Sequence, residues 1–477
     1  MSSFLQTHPL AQWFGIDETI AQRVLSETMS RGAEFADLYF QHTRTTSLSL
    51  EDGIVSRANT GIDQGVGIRA VVGDQVGYAF SENLTVEAMI EAARTAATIA
   101  SRSRTLPPQA IRLGQTANYY DLPRDWDTVH VSERLPIIQM AEAMIRSMDV
   151  TIEKVSIGWM DSDERVLIVT SDGMFVTDRR PMATLYCSVT ANKNGVRQNN
   201  GASVARRESI DYFTKDRLLA VCQKAVDRTM ILFEAKRPPA GELPVVLSAG
   251  ASGILLHEAI GHGLEADFNR KGTSVYATML NQKVAPDFVT IVDDGTQNCD
   301  RGALNIDDEG NPTESTVLIE NGILRNYLHD KISASHYGVA PTGSGRRESF
   351  RHVPMPRMRS TYMMNGPHTR DEIIASVDRG IIAETFTNGQ VQIGAGDFTF
   401  YIKNGWLIEG GKITAPIKDV NIIGNGPAAL KNVVMAANDS VLDDGSWTCG
   451  KNGQGVPVSM GVPTMLVKSM TVGGVNA

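Results

Sequence analysis

The segment HEAIGH, residues 257 to 262, places two histidines and a glutamate within six positions. Imidazole nitrogens are common metal ligands, and a neighbouring carboxylate can act as a general base. The familiar zinc-protease motif on a helix, His-Glu-x-x-His, sets its histidines four residues apart on one face. Here His257 and His262 are five residues apart, so the segment predicts either a metal site with an extra residue or polar side chains on a core helix.

Two backbone arrangements could bring the two imidazoles onto one ion. Residues five apart on an ideal α-helix differ by about 140° around the axis, which is too far. A single π-like turn would return them to one face. Alternatively the helix ends at the motif and His262 lies on the exit turn. Gly261 and Gly263 flank His262, and glycine tolerates distorted backbone. In either arrangement Glu258 is a candidate general base.

A catalytic zinc site typically has three protein ligands, and two histidines leave it one short. Glu265 and Asp267 are candidates close in the sequence. The other candidates are the four cysteines, Cys187, Cys222, Cys299 and Cys449. The cysteines are far apart and form no CxxC pair, so we expect reduced thiols in the cytoplasm rather than disulfides. The residues alone leave the choice of third ligand open.

The composition excludes several classes of protein. The chain has 477 residues, 42% of them hydrophobic and 21% charged, which predicts two to four domains. The formal net charge of -9 argues against a nucleic-acid binder that relies on phosphate contacts. Since the sequence has neither a secretory signal pattern nor an apolar run of about 18 residues, we expect no membrane span.

The N-terminal half repeats one order of elements. A helix over 18–31 precedes an alternating pattern over 35–82, which predicts an antiparallel meander followed by a helix over 85–103. Residues 105–131 form a connection, and a second meander and helix follow over 154–209 and 214–235. The turn signals are Asp52-Gly53, Gly73-Asp74, Asp172-Gly173 and Asn194-Gly195. We interpret this order as an internal duplication.

Residues 236–244 read as a linker into a second domain rich in short strands. The dipeptides Asn321-Gly322 and Asn404-Gly405 predict hairpins, and a late helix is expected around 427–438. The predicted fold class is α+β. An N-terminal α/β domain, residues 1–235, contains the duplicated meander-plus-helix units, and residues 243–477 form a mostly antiparallel β barrel or sandwich that carries the metal-binding helix.

Three further motifs have structural and functional interpretations. The stretch GSGRRES, with Arg346 and Arg347, could contact a substrate carboxylate or backbone, although a structural loop is the default. The acidic stretches VDDGT and IDDEG resemble calcium loops only loosely, because their carboxylates lack the regular spacing. Turns or caps are the expected role of these acids.

Several long motifs together resemble one family. They are HEAIGHGLEADFNRKGTSVY, VDDGT, IDDEG, PTGSGRRESF, PMPRMRSTYM and CGKNGQGVPVSMGVPTM. In this order they are similar to the TldD branch of the TldD/PmbA family, whose members are often labelled modulators of DNA gyrase. The resemblance covers nearly the whole chain.

The resemblance implies a zinc-dependent peptidase with an N-terminal α/β domain and a β-rich C-terminal metalloprotease domain. The family's metal-binding histidines correspond to His257 and His262, and its catalytic glutamate to Glu258. Its third ligand, a cysteine before a Gly-Lys pair, corresponds to Cys449. Cys299 has no counterpart, and we interpret it as structural. A thiolate with two imidazoles suits zinc.

We therefore expect hydrolysis of extended or unfolded peptides, with a zinc-bound water as nucleophile and Glu258 as general base. The resemblance also implies pairing with a metal-free TldE/PmbA-like subunit, with a homodimer as the alternative. In such a dimer the N-terminal units could enclose a cavity over the metal. A different hypothesis is a regulatory or chaperone-like binding protein in which the metal is only structural.

Overall fold

The N-terminal half combines five helices with long strands in a computed structural model that describes residues 7–100 and 106–474. The helices are α1 (Pro9–Trp13), α2 (Glu18–Met29), α3 (Val86–Ala97), α4 (Val131–Met148) and α5 (Lys215–Met230). The strands are β1 (Phe35–Glu51), β2 (Ile54–Val72), β3 (Gln75–Ser81), β4 (Arg112–Leu113), β5 (Ile152–Thr170), β6 (Met174–Lys193) and β7 (Val196–Arg206).

Both predicted meanders are present, and they join into one seven-stranded sheet. The order is β3-β2-β1-β5-β6-β4, with β7 also paired to β6. The first strand of each meander, β1 and β5, pair antiparallel along their length and so connect the two units. Helices α3 and α5 follow their meanders as predicted. Helix α3 ends at Ala97, before the predicted end at residue 103, and residues 101–103 of that prediction lie outside the described residues.

Helix α4 is the longest element of this half that the sequence prediction missed; the short helix α1 and the two-residue strand β4 were missed as well. It begins directly after the predicted connection and packs against β5 through Ile138, Ala141 and Ile145, which are all fully buried. Pro136 lies inside the helix, and an internal proline normally argues against one. The start signal is Glu133, whose carboxylate accepts a hydrogen bond from the backbone N–H of His130.

The C-terminal half contains short helices and many short strands. The helices are α6 (Gly253–Leu256), α7 (Ala266–Arg270), α8 (Lys331–Tyr337), α9 (Arg370–Ala375) and α10 (Gly426–Lys431). The first strands are β8 (Gly241–Leu247), β9 (Ile291–Asp294), β10 (Ser315–Glu320), β11 (Ile323–Leu324), β12 (Gly345–Arg346), β13 (Met355–Pro356), β14 (Ser360–Met363), β15 (Arg379–Gln392) and β16 (Asp397–Glu409). The remaining strands are β17 (Lys412–Ile417), β18 (Val420–Asn425), β19 (Val433–Ala436), β20 (Val441–Leu442), β21 (Thr448–Lys451), β22 (Gln454–Pro457), β23 (Ser459–Val462) and β24 (Met465–Gly473).

Two larger sheets organise these strands around one apolar core. One sheet has the order β11-β10-β9-β14-β23-β20. The other has the order β15-β8-β24-β18-β16-β17, and an additional β15–β16 pairing closes five of its strands into a ring. The α+β class and the mostly antiparallel pairing agree with the prediction. Among the helices of residues 7–100 and 106–474, none combines the length and hydropathy that a membrane span requires.

One of the two hairpin predictions was wrong. Asn321 and Gly322 do form the β10–β11 turn, with φ values of 48° and 78°. Strand β16, however, runs straight through Asn404, and the turn into β17 lies at Gly410-Gly411. Asn404 is buried, and its carboxamide oxygen accepts a hydrogen bond from Thr385 Oγ1 at 2.8 Å. Gly405 is required by packing, since a Cβ there would lie 2.2 Å from the carbonyl oxygen of Ile382.

The late helix is shorter than predicted. Helix α10 ends at Lys431, whereas the sequence prediction extended it to residue 438. The next residues, Val433–Ala436, form strand β19 and pair with β24. Valines favour the pleated surface of a sheet, and here the tertiary pairing overrides the helical pattern.

Buried ion pairs join the two halves of the molecule. Arg69 on β2 is fully buried; its Nε lies 2.5 Å from Asp37 Oδ2 and its Nη1 lies 2.7 Å from Glu309 Oε1. Arg180 on β6 likewise meets Asp308 at 2.5 Å. Asp308 and Glu309 belong to the IDDEG stretch, so these acids anchor the C-terminal half to the N-terminal sheet. The expected turn role fits Asp307, which accepts the backbone N–H of Glu309.

We predict that Arg69→Leu strongly destabilises the protein. The substitution leaves the carboxylate of Glu309 buried without its cation and leaves Asp37 with only Arg347, at 3.3 Å. Breaking a buried ion pair in this way typically costs about 3–5 kcal/mol. The matched control is Arg197→Leu, because Arg197 forms an exposed pair with Glu153 at 2.7 Å, a kind of pair that contributes roughly 0–1 kcal/mol. Urea unfolding followed by circular dichroism measures both. Equal effects of the two substitutions would contradict the anchoring role.

Candidate metal centre

A π-helical turn brings the two histidines of HEAIGH together. Helix α6 continues into this turn at His257–Gly261, and the backbone N–H of His262 donates to the carbonyl oxygen of His257, five residues back. The ring centroids of His257 and His262 are 5.1 Å apart, and both side chains are buried. Of the two backbone arrangements considered, the structure has the π turn, and a short 3₁₀ turn, His262–Leu264, follows it.

Gly261 serves packing rather than backbone distortion. Its φ and ψ of -58° and -50° are ordinary helical values that any residue adopts. A Cβ at this position would lie 2.0 Å from Met358 Sδ, so a larger residue would displace Met358 or the turn. The expectation that glycine here permits an unusual backbone was therefore wrong.

Cys449 reaches the histidines from a hairpin near the C-terminus. Strands β21 and β22 are joined by Asn452-Gly453, whose φ values of 51° and 75° suit a tight hairpin turn. Cys449 Sγ lies 3.5 Å from His262 Nε2. One donor atom from each of His257, His262 and Cys449 lies within 4.8 Å of the others, and all three residues are buried.

The other candidate ligands do not join this group. Cys187 and Cys222 are buried in the core of the second meander. Cys299 lies on a loop where its backbone N–H donates to the carbonyl oxygen of Tyr119. Of the cysteines, Cys449 alone belongs to the metal-ligand group found among the described residues.

Glu265 and Asp267 instead lie behind the histidines. Glu265 is fully buried, and its Oε2 lies 2.9 Å from His262 Nδ1 and 3.0 Å from Lys451 Nζ. Asp267 Oδ1 lies 2.8 Å from the same Lys451 Nζ. A carboxylate on one imidazole nitrogen fixes the ring and leaves the other nitrogen, here Nε2, for a metal. The prediction from the sequence treated both acids only as candidate metal ligands and did not identify Lys451 as part of the site.

Lys451 and Arg357 hold the hairpin in place. Lys451 lies two residues beyond Cys449 on β21, so both side chains point to the same face of the strand. Arg357 is fully buried, and its Nη2 donates to the carbonyl oxygen of Cys449 at 2.5 Å. The period of two, followed by the Asn-Gly turn, is the sequence signal that could have placed Lys451 beside the site.

The ionisation of these groups suits a cation. Burial alone would raise the pKa of the Cys449 thiol, but the imidazoles of His257 and His262 lower that pKa well below its usual range. Burial would likewise lower the pKa of His262, but Glu265 and Cys449 raise it well above the usual value. Burial would raise the pKa of Glu265, yet Lys451 and His262 lower it to about 2. The site therefore favours an ionised Cys449 thiolate and an ionised Glu265 carboxylate, with positive charge at His262 between them.

The chemistry of the donor set fits zinc. Neither ring nitrogen of the buried His257 has a hydrogen-bond partner among the described residues. Such an unsatisfied buried group normally costs free energy, and a metal ion would satisfy it. Two imidazoles and a thiolate are borderline-soft ligands, and three protein ligands leave a fourth position open. His257, His262 and Cys449 could therefore hold a catalytic zinc ion.

Glu258 lies beside the donor group without joining it. Its Oε2 is 3.8 Å from His262 Nε2, the same nitrogen that faces Cys449. Its side chain retains 22% of its exposure, whereas His262 retains 5%. A carboxylate that is both adjacent to the donors and open to solvent can exchange protons with a substrate.

A buried set of metal-ligand donors with a partly exposed glutamate beside it is an arrangement typical of metallopeptidases. Family models match most of the chain: PmbA/TldA metallopeptidase domain 1 over residues 36–100, the central domain over 124–233 and the C-terminal domain over 240–474. The chain belongs to the PmbA/TldD family of metallopeptidases, as the motifs had indicated.

Individual relatives agree with this assignment. The Metalloprotease TldD homolog of Haemophilus influenzae is 39% identical over 94% of this chain and 94% of its own length. The Zinc metalloprotease TldD homolog of Saccharolobus solfataricus is 27% identical over 93% of this chain and 97% of its own. The crystal structure of TldE from Thermococcus kodakarensis is 20% identical, covers 95% of this chain and 100% of its own, and superimposes with a TM-score of 0.74. The last likeness shows a shared fold.

We predict that Glu265→Gln weakens metal binding by roughly 10- to 100-fold while the protein stays folded. The amide keeps the shape but loses the charge that orients His262. Competition with a chelator of known affinity measures the effect, with His257→Ala and Cys449→Ala as the variants that should lose the metal. Asp267→Asn is the matched control, because Asp267 contacts Lys451 and not an imidazole. Unchanged affinity in Glu265→Gln would refute the orienting role.

Proposed function

We propose that the protein is a zinc-dependent metallopeptidase that hydrolyses peptide bonds in extended or unfolded peptides. In this proposal His257, His262 and Cys449 hold the zinc, and Glu258 is the general base. The observation that carries the proposal is the place of Glu258, whose partly exposed carboxylate lies 3.8 Å from a nitrogen of the donor group.

In this proposal the metal and the residues around it have different roles in the reaction. A bound zinc ion supplies Lewis acidity, which makes a water molecule acidic and polarises a carbonyl group. Glu258 accepts the proton of the attacking water and later returns it to the leaving amine. Glu265 holds the proton on His262 Nδ1 and so keeps Nε2 available as a donor. Lys451 balances the negative charge of Glu265. The buried Glu265 carboxylate therefore stays ionised and does not take up the proton that Glu258 transfers.

The surroundings of Cys449 support an extended substrate. Strands β21 and β22 form a two-stranded sheet that pairs with no third strand among the described residues. A peptide can add to such an edge through main-chain hydrogen bonds, which depend little on side-chain identity. We therefore propose broad sequence tolerance and rejection of stably folded proteins.

We also propose that the chain pairs with a metal-free TldE/PmbA-like subunit, and that the domains 1–235 of the pair enclose a cavity over the domain 243–477 that holds the metal. The similarity to a TldE structure supports a common architecture for two such partners. Residues 54–64 of β2 also support an interface, because they pair only with β1 and are exposed. Ile54 and Ile62 on this edge are 70% and 65% exposed.

We propose a cytoplasmic location, with which the proposed ligand set is compatible. Cys449 can serve as a thiolate ligand only while it is reduced, and reduced thiols are typical of the cytoplasm. The four cysteines are all free, which is compatible with this location.

We predict that Glu258→Ala retains stoichiometric metal but loses cleavage of unstructured peptides by about 100-fold or more, since a general base typically contributes a factor of 10²–10⁴. The assay is cleavage of a peptide library by mass spectrometry, with metal content measured on the same sample. Glu242→Ala is the control for removing a carboxylate, because Glu242 is exposed and contacts Ser469 and Thr471. Undiminished cleavage would contradict the mechanism. Absence of cleavage in the native enzyme would favour the binding-protein hypothesis.

We predict that co-expression with a TldE-like chain yields a one-to-one complex, measured by light scattering. Ile54→Lys with Ile62→Lys should weaken this complex while metal content stays unchanged, because charges at an apolar interface are costly to desolvate. Val434→Lys, at a 43% exposed position of the C-terminal half, is the matched control. A homodimer of this chain would support the alternative assembly. A fully active monomer would refute both pairing and enclosure.

A further inference from the structure

A cavity lies between the N-terminal sheet and the hairpin that carries Cys449. Its volume is about 250 Å³, small for an organic ligand site. Ser162 on β5 and Met182 on β6 form its N-terminal wall, and Thr448 and Pro457 form part of the opposite wall. Because side chains alternate along β21, Thr448 and its cross-strand partner Pro457 lie on the face opposite to Cys449. Val456, opposite Cys449, also lines the cavity, but His257, His262 and Cys449 do not.

Three arginines that line this cavity have no carboxylate partner among the described residues. Arg207, Arg301 and Arg346 are 3%, 6% and 2% exposed, and none of them forms an ion pair. They donate to neutral oxygens instead. Arg207 Nη1 contacts Pro181 O, Arg301 contacts Trp447 O and Thr448 Oγ1, and Arg346 contacts Met358 O and Pro457 O.

Some of their N–H groups remain unused. Arg207 Nε and Arg301 Nη1 are buried and have no hydrogen-bond partner within the described parts of the chain. A buried cation without an anion is costly, and a buried donor without an acceptor adds to that cost. Burial and the neighbouring Arg207 lower the pKa of Arg301 to about 10. Burial lowers the pKa of Arg346 to about 9, although the nearby carboxylate of Asp308 opposes this shift.

The carboxylates of the same cavity are already engaged. Asp308 lies 2.5 Å from Arg180 Nη1, and Glu164 lies 3.1 Å from the same nitrogen. Glu348 is exposed and accepts the backbone N–H of Gly455. Asp308 acts on Arg346 and Glu164 acts on Arg207 at longer range, but none of these acids forms an ion pair with Arg207, Arg301 or Arg346.

We propose that this cavity is a binding site for a small oxyanion, a phosphate or carboxylate group, which Arg207, Arg301 and Arg346 recognise. Guanidinium groups match the oxygens of such anions in geometry and charge, and desolvated pairs of this kind are strong. The motif GSGRRES contributes Arg346, so the basic stretch noted in the sequence has a ligand-binding role. The site is separate from the proposed peptidase mechanism.

The anion also fixes the hairpin. Arg301 and Arg346 hold its two ends, at Trp447 O and Pro457 O, and an anion between the guanidiniums removes the repulsion that would push them apart. Hydrogen exchange of the backbone amides of residues 447–457 should therefore slow when the anion binds, because local opening becomes less favourable.

The test uses the full metal-loaded chain and two probes, inorganic phosphate and succinate, in calorimetric titrations at constant ionic strength set by chloride. Saturable binding with a Kd below about 10 mM by one probe supports the site, and tighter binding of phosphate or of succinate by roughly tenfold identifies the source of the oxyanion. Binding of neither probe below that concentration, or unchanged hydrogen exchange of residues 447–457, overturns the proposal.

Variants locate the bound anion. Arg301→Met and Arg346→Met should each weaken binding by about tenfold or more, as expected for the loss of a charge-assisted pair. Arg197→Met is the matched control, since it removes an exposed arginine that does not line the cavity. Should a buried-arginine variant fail to fold, Ser162→Glu places a carboxylate at the half-buried cavity wall and should abolish binding by occupying the guanidiniums. Unaltered binding in Ser162→Glu would refute the location.

Discussion

The geometry of the metal centre depends on the buried carboxylate of Glu265. One of its oxygens faces both His262 Nδ1, at 2.9 Å, and Lys451 Nζ, at 3.0 Å. His262 belongs to the motif segment, and Lys451 belongs to the hairpin that carries Cys449. The same carboxylate therefore orients an imidazole and attracts the strand on which the third donor lies. A fully buried charge is stable only with such partners, so the two segments form one unit.

The spacing of the motif follows from this arrangement. Four-residue spacing would need only an ordinary helix, whereas His257 and His262 need a π turn, which is rare and often found at functional sites. The turn is stabilised by its surroundings: Met358 fills the space at Gly261, and Asn269 Nδ2 donates to the carbonyl oxygen of Gly263. Packing and side-chain hydrogen bonds thus replace the regular helical bonds that the extra residue removes.

The sequence predicted those parts of the molecule that local patterns determine. The alternating meanders, helix α2 and the pairing of histidines with Glu258 follow from residues near one another in the chain. Cys449 lies 187 residues from His262, and the family resemblance placed it, since no local pattern does. Glu265 was considered as a ligand because proximity in sequence does not reveal which imidazole nitrogen a carboxylate faces. Asn404 was misassigned because a buried carboxamide and a turn asparagine look alike in sequence.

At the interface between the halves, some buried arginines pair with carboxylates and others contact only neutral oxygens. Arg69 and Arg180 meet carboxylates across the interface, and these pairs specify how the N-terminal sheet sits on the C-terminal half. Hydrophobic contacts such as that of Phe350 with Phe80 would tolerate small shifts, whereas short buried ion pairs do not. Arg301 lies near the same interface but contacts carbonyl and hydroxyl oxygens of the Cys449 hairpin. If Arg301 served only to make the interface rigid, a carboxylate partner like those of Arg69 and Arg180 would serve the same purpose. The guanidiniums that form no ion pair are therefore better explained by a ligand than by the packing of the two halves.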